Sequence, residues 1–285
     1  MKVLVSGSSG LIGSVLMPAL QGEGHTVVPL IRGASGSLDL APLRDIDAVV
    51  HLAGESIAAG RWTPARKARI LESRVRGTAL LARALSTLDR KPAMFLSGSA
   101  VGFYGDRGDE LLDETAPRGR GFLADVCAQW EEATAPAVEA RIPVVTLRTG
   151  VVLSGTGGAL RKMLTPFQLG AGGVIGAGTQ YMSWIAIDDV VAAIQHLLRS
   201  GSVTGPVNLV APNAVTNREF TKTLGRVLGR PTVFAMPAFV TRLAFGEMAD
   251  EMLLASTRVR PARLTAAGYQ FRYPALEGAL RHVIP

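Results

Sequence analysis

Short apolar runs alternate with stretches of helical periodicity along the first half of the chain. Lys2–Ser6 is an apolar run stopped by Gly7, and apolar positions then recur at helical spacing over Gly10–Gln21. Runs of this kind bounded by turn residues predict buried strands, and the longer periodic stretches predict helices. On the same pattern Thr26–Ile31, Ala48–Leu52, Ala93–Ser97 and Pro143–Leu147 predict further strands. Helices are predicted over residues 64–85 and 123–140. Strand–helix alternation of this length specifies an α/β fold: a Rossmann-type, doubly wound parallel sheet joined by right-handed crossovers.

The pattern changes after Arg148. Residues 155–178 hold eight glycines in 24 positions, too many for a packed element, and read as a connector or as a lid over a ligand site. Helices follow over 188–199, 219–228 and 238–254, with Asp188 or Asp189 as N-cap of the first. The expected organisation is a dinucleotide-binding domain over 1–154, its sheet completed by parts of 179–215. The glycine-rich 155–178 and a smaller substrate lobe over 216–285 follow.

At 285 residues the chain can build one large domain or two modest lobes, and 48% hydrophobic against 19% charged residues is a globular composition. A single cysteine excludes a disulfide framework and a multi-cysteine zinc site, and the four histidines show no ligand spacing. The net charge of +7 comes from arginines scattered between Arg32 and Arg281, without the dense basic run a nucleic-acid surface presents. A basic chain does suit a phosphorylated small-molecule ligand. No stretch approaches the ~20 apolar residues of a membrane span. The expectation is a cytoplasmic protein acting on a small molecule, its oligomeric state left open.

Gly7-Ser8-Ser9-Gly10-Leu11-Ile12-Gly13 lies between the first strand and the first helix. Glycines there make a tight turn, admit a pyrophosphate to the backbone and let helix and strand approach. Gly7, Ser9, Gly10, Leu11, Ile12 and Gly13 are therefore the expected dinucleotide-binding turn. Where an NAD site places Asp or Glu after the second strand, this chain has no acid between Glu23 and Asp39 and carries Arg32. A guanidinium clamps a 2′-phosphate that a carboxylate would repel, so NADP(H) is the expected cofactor. The alternative is that Arg32 is a solvated surface charge.

Several motifs occur together with this turn: Leu52-Ala53-Gly54-Glu55, Arg61-Trp62-Thr63, Ser73-Arg74-Val75, and Leu96-Ser97-Gly98-Ser99 running on to Tyr104-Gly105. Arg148-Thr149-Gly150, Ser183-Trp184-Ile185, Gly246-Glu247 and Leu264-Thr265-Ala266-Ala267-Gly268-Tyr269 complete the set. In these motifs the chain resembles the extended short-chain dehydrogenase/reductases, in particular the atypical nucleoside-diphosphate-sugar epimerase-like branch, also labelled cell-division-inhibitor homologues. The resemblance spans essentially the whole chain. It implies that Leu52, Ala53, Gly54, Glu55, Arg74, Ser97 and Arg148 surround the cofactor. It also implies that Ser99 is the catalytic serine that hydrogen-bonds the reacting carbonyl or alcohol, with Tyr104 a second protic group reaching the same cleft. An ordinary strand-end serine is the competing reading of Ser99.

The superfamily's Tyr-x-x-x-Lys pair, in which an ammonium depresses a phenol pKa for proton transfer, is absent. None of Tyr104, Tyr181, Tyr269 and Tyr273 has Lys four residues later, and the helix that should carry the pair reads Phe122-Leu123-Ala124-Asp125-Val126-Cys127-Ala128-Gln129-Trp130-Glu131. Glu55 is a weaker proton carrier, and Cys127 reads as a packed small hydrophobe. Ala186 stands where relatives have a histidine, and Asp188-Asp189 are left to helix capping. Two functions stand side by side. One is an NADP(H)-dependent oxidoreductase or epimerase-like enzyme for a small carbonyl or sugar-like substrate. The other is a non-catalytic NADP(H) sensor or partner-docking protein.

Overall fold

The computed structural model describes residues 1–30 and 43–284. Six parallel strands form its central sheet: β1 (Lys2–Ser6), β2 (Thr26–Leu30), β3 (Ala48–His51), β4 (Met94–Ala100), β5 (Val144–Thr149) and β6 (Gly205–Leu209). Their spatial order is β6-β5-β4-β3-β1-β2. β1 pairs on one side with β2 and on the other with β3, through Val3 to Val27 and Val3 to Ala48. The winding direction therefore reverses between β1 and β3, and a crevice opens there beyond the carboxyl ends of the strands.

The two faces of the sheet bury different residues, as the period of two along a strand requires. Val3, Val5, Val50, Leu96, Val145 and Leu147 pack with Leu16 and Leu20 of α1 (Leu11–Gly22) and with Ile194 and Leu197 of the helix Ile187–Ser200. Leu4, Val49, Phe95 and Val144 pack on the opposite face with Leu81 and Leu85 of α2 (Pro64–Ser86). Each such side chain contributes about 1.5–3 kcal/mol. Toward the carboxyl edge this second face turns polar, through Ser6, His51, Ser97 and Thr146 and then Ser99 and Arg148, all of them buried.

Three expected elements differ from those found. The strand expected over 93–97 runs to Ala100, which carries Ser99 into the sheet edge. The helix expected over 123–140 is two helices, α3 (Phe122–Glu132) and Ala135–Glu139, broken ahead of Pro136 because proline lacks the N–H that a continuous helix needs. The helix expected over 238–254 stops at Phe245, where Gly246 takes φ 61°, and resumes as a short π turn over Ala249–Leu253.

Residues 155–178 were expected to hold no packed element, yet they contain a helix, Gly158–Gln168, and a strand, Gly173–Ile175, paired with Phe234–Met236. Their glycines stand mainly at turns and close contacts. Leu160, Leu164 and Phe167 join Trp184, Phe220, Leu224, Leu276 and Leu280 in one core, so the helix is packed into the C-terminal part of the molecule. Among the described residues no helix is long and apolar enough to cross a membrane.

Candidate functional site

The glycine turn sits at the crevice. Gly7 has φ +73°, and a side chain on it would meet the backbone of Leu52 and Ala53 at 2.8 Å, so only glycine lets the end of β1 lie against the end of β3. A Cβ on Gly13 would lie 2.2 Å from the Gly7 carbonyl, which makes Gly13 the contact that seats α1 on β1. Gly10 differs: a Cβ there would meet only the Gly7 carbonyl, at 3.2 Å, and otherwise point into open space. Gly10 is the N-cap of α1, the cap has no side-chain hydrogen bond, and the first turn carries no acid. Uncapped N–H groups and the positive end of the helix thus face an open cradle, as a pyrophosphate requires. Ser9 is exposed at its rim, with Leu11 and Ile12 half-buried below. Arg32 lies outside the described residues.

Leu52, Ala53 and Gly54 leave β3 along the floor of the same crevice, and Gly54 is exposed. Glu55 does not face it freely. Its carboxylate lies 3.3 Å from Arg66 and 3.5 Å from Arg69, while its backbone N–H donates to Ser73 Oγ. Glu55 is therefore tied to α2. Arg74, on the same helix, lays its guanidinium beside Gly54 and 5.1 Å from the Trp130 ring.

Ser99 stands near the end of β4, in register with Arg148 on β5, and Arg148 is in register with Asn208 on β6. A residue from α3 joins this row. Ser99 Oγ donates to Glu131 Oε1 at 2.6 Å, and Arg148 grips both oxygens of the same carboxylate, Nε at 2.8 Å and Nη2 at 2.9 Å. Burial works against the Arg148 charge, but the Glu131 carboxylate outweighs it and raises the arginine pKa. The Ser99 proton is thus committed to a carboxylate, leaving the lone pairs of its oxygen to accept another. Of the two expected partners, carbonyl or alcohol, this arrangement suits the alcohol, whose hydroxyl could donate to the Ser99 oxygen.

Three expected roles are corrected. Tyr104 is fully buried and its hydroxyl is used up, donating to Asn208 Oδ1 at 2.8 Å and accepting from Arg148 Nη1 at 3.0 Å. Burial raises its phenol pKa further, with Arg148 only partly opposing the shift, so it is not a proton carrier in the cleft. Arg148, 4% exposed, is committed to Glu131 and Tyr104 rather than to a cofactor. Ser97 is sealed inside the sheet with an unpartnered hydroxyl, two residues too deep to touch a ligand. Cys127 meets expectation as a packed thiol, its pKa pushed up to about 12 by burial and then by Glu131.

Among Ser99, Arg148 and Glu131, Glu131 is the one member of this array that the sequence motifs do not include. Leu123, Cys127 and Glu131 are spaced by four on α3, which puts them on one helix face. A tyrosine and a lysine on that face would stand at positions such as Leu123 and Cys127, two turns and one turn before the carboxylate.

Two carboxylates tie the C-terminal part to the rest of the molecule. Glu251 accepts from the backbone N–H groups of Phe122 at 3.1 Å and Leu123 at 3.0 Å, capping α3 from across the molecule. A cavity of about 210 Å³ beside it is bordered by Gly102, Gly105, Leu123 and Thr257. Asp189 was expected as a helix cap. Instead, it is buried in the first turn of its helix and accepts from Tyr269 Oη at 2.8 Å and from the N–H groups of Arg272 and Tyr273. Ala186 is the N-cap and makes no side-chain bond.

Comparison with known proteins identifies the family and agrees with the fold. Residues 3–209 match the NAD dependent epimerase/dehydratase family, and residues 236–283 match a domain of unknown function, DUF1731. Epimerase family protein MT2273 of Mycobacterium tuberculosis is 44% identical over 98% of this chain and 96% of its own length. The crystal structure of human epimerase family protein SDR39U1 (isoform 2) with NADPH superposes with a TM-score of 0.92 at 35% identity, covering 99% of both chains. The nucleoside-diphosphate sugar epimerase of Corynebacterium glutamicum gives 0.82 at 38% identity, covering 100% of this chain and 58% of that one.

Proposed function

We propose, from the chain's membership of the NAD dependent epimerase/dehydratase family, that it is an NADP(H)-dependent oxidoreductase or epimerase-like enzyme acting on a small carbonyl or sugar-like substrate. The human relative's structure with NADPH and the open cradle at Gly10 support the cofactor. Gly7, Gly10 and Gly13 with the N-terminus of α1 would hold the pyrophosphate, and Arg32 would hold the 2′-phosphate. When bound, NADP(H) supplies the hydride chemistry.

The proton is the protein's task, and one observation carries the reading: the 2.6 Å hydrogen bond from Ser99 to a carboxylate already held by Arg148. A substrate hydroxyl would donate to Ser99 Oγ. As the substrate oxygen loses its proton to Ser99, the serine proton passes to Glu131 Oε1, and the reverse sequence serves reduction. Arg148 keeps Glu131 in place and compensates its charge, the duty that the missing lysine performs for a tyrosine. The same array disfavours the sensor alternative, because a binding module has no use for a proton path at the carboxyl edge of the sheet.

NADPH consumption and NADP⁺ reduction over a panel of carbonyls, alcohols and nucleotide sugars test the proposal. Ser99→Ala is expected to lose at least ~100-fold in turnover, the usual contribution of a positioned acid/base group. Its NADPH affinity is expected to change by less than ~1 kcal/mol, the scale of one neutral hydrogen bond. A substrate whose turnover survives Ser99→Ala would refute the proton path.

A further inference from the structure

Arg74 is a half-buried cation without a counter-charge. No carboxylate of the described residues lies within ion-pair distance of it, and Glu55, whose charge reaches it from farther off, is held by Arg66 and Arg69. Of its five N–H donors one has a protein acceptor, from Nη1 to the Ile70 carbonyl at 3.1 Å. Nε and Nη2 find no acceptor among the described residues and are not sealed in, and Nη2 lies beside the exposed Gly54, 3.4 Å from where its Cβ would be. Burial alone already lowers the Arg74 pKa. A desolvated guanidinium normally has a partner, because leaving it unpaired is costly.

Its position says which anion is missing. The guanidinium carbon lies 3.3 Å from where a Gly54 Cβ would be, so glycine clears the space beside it. The Trp130 ring, stacked near it at 5.1 Å, also rests against Gly98, the residue before Ser99. Arg74 therefore stands between the ends of β3 and β4, on the Ser99 side, whereas the pyrophosphate cradle is at Gly7 and Gly10 on the β1 side. We infer that Arg74 is a substrate-binding residue that grips an anionic group of the substrate, a carboxylate or phosphate, through its free fork. The inference rests on the proposed enzyme reading and narrows it to acidic substrates.

Calorimetric titration of NADP⁺-loaded protein with oxalate and with inorganic phosphate tests this, with NADPH titrated in parallel. At least one of the two anions is expected to bind the wild type and to bind Arg74→Gln at least about tenfold more weakly, the scale of a lost charge-assisted contact. NADPH affinity is expected to stay within about twofold. Arg74→Lys, which keeps the charge and loses the fork, should fall between the two and serves if Arg74→Gln does not fold. Anion binding that is absent in the wild type, or unaffected by either variant, overturns the inference. So does a loss of NADPH affinity matching the loss of anion affinity, since Arg74 would then serve the cofactor. A wild type that binds no NADPH at all would instead refute the enzyme reading itself.

Discussion

Single residues decide whether the crevice can bind and react. Glu131 illustrates it: the carboxylate is 15% exposed, paired twice to Arg148, and still accepts the Ser99 proton. Glu131→Gln keeps the shape but leaves Arg148 as an uncompensated buried cation and replaces a proton acceptor with an amide. We expect turnover to fall at least as far as in Ser99→Ala, by ~100-fold or more, and the melting temperature to drop as well. Ser99→Ala, which strands no charge, should lower activity with little effect on melting, and thermal denaturation of the two variants side by side separates these outcomes. Arg32 belongs to the same scale. Arg32→Ala should cost ~1–3 kcal/mol in NADPH binding and leave NADH untouched, measured by titrating both nucleotides. An unchanged preference would assign Arg32 to the solvated surface.

Among the secondary-structure elements, α3 links the sheet to the C-terminal part. It presents Glu131 to Ser99 at one end, and its N-terminal N–H groups receive Glu251 at the other. Glu251→Ala would leave that terminus uncapped at a cost of about 1–2 kcal/mol, read as a lower denaturation midpoint. The pairing of Leu111–Leu112 with Arg258–Val259 is a second link, closed by Asp113, which accepts from Thr115 and from Arg260. The Thr115 hydroxyl, then Arg260, lower the Asp113 pKa from 3.8 to about 2. A carboxyl with a depressed folded-state pKa contributes stability above its unfolded value and loses it as pH falls through the folded one. The melting-temperature difference between wild type and Asp113→Asn should thus be full above about pH 4 and close toward pH 2. A difference that does not vary with pH would contradict this assignment.

At the scale of the whole molecule, much of the architecture was legible in the chain. Strand positions and the parallel sheet follow from alternating apolar runs, and the crevice follows from Gly7, Gly10 and Gly13 at one strand end. What was not legible depends on register and packing. Ser99, Arg148 and Asn208 align only once β4, β5 and β6 are paired, and that alignment turns Tyr104 and Arg148 from apparent site residues into a buried support. Glycine content misled over residues 155–178, because those glycines serve close contacts: a Cβ on Gly157 or Gly158 would lie within 3 Å of Leu11 beside the glycine turn. Asp189 reads as a cap in sequence and becomes, in the fold, the receptor for Tyr269, Arg272 and Tyr273.

The proposed chemistry requires a dinucleotide seated on the glycine turn beside this array, and calorimetric titration of NADPH into wild type and Gly10→Val tests that most directly. Gly10 has backbone angles that any residue adopts, φ −76° and ψ 173°, and a Cβ there would press only on the Gly7 carbonyl, at 3.2 Å, so valine should fold with a small local shift while filling the cradle. The predicted result is one NADPH bound per wild-type chain and none detectable by a folded Gly10→Val. NADPH binding of equal strength in both proteins would contradict the account.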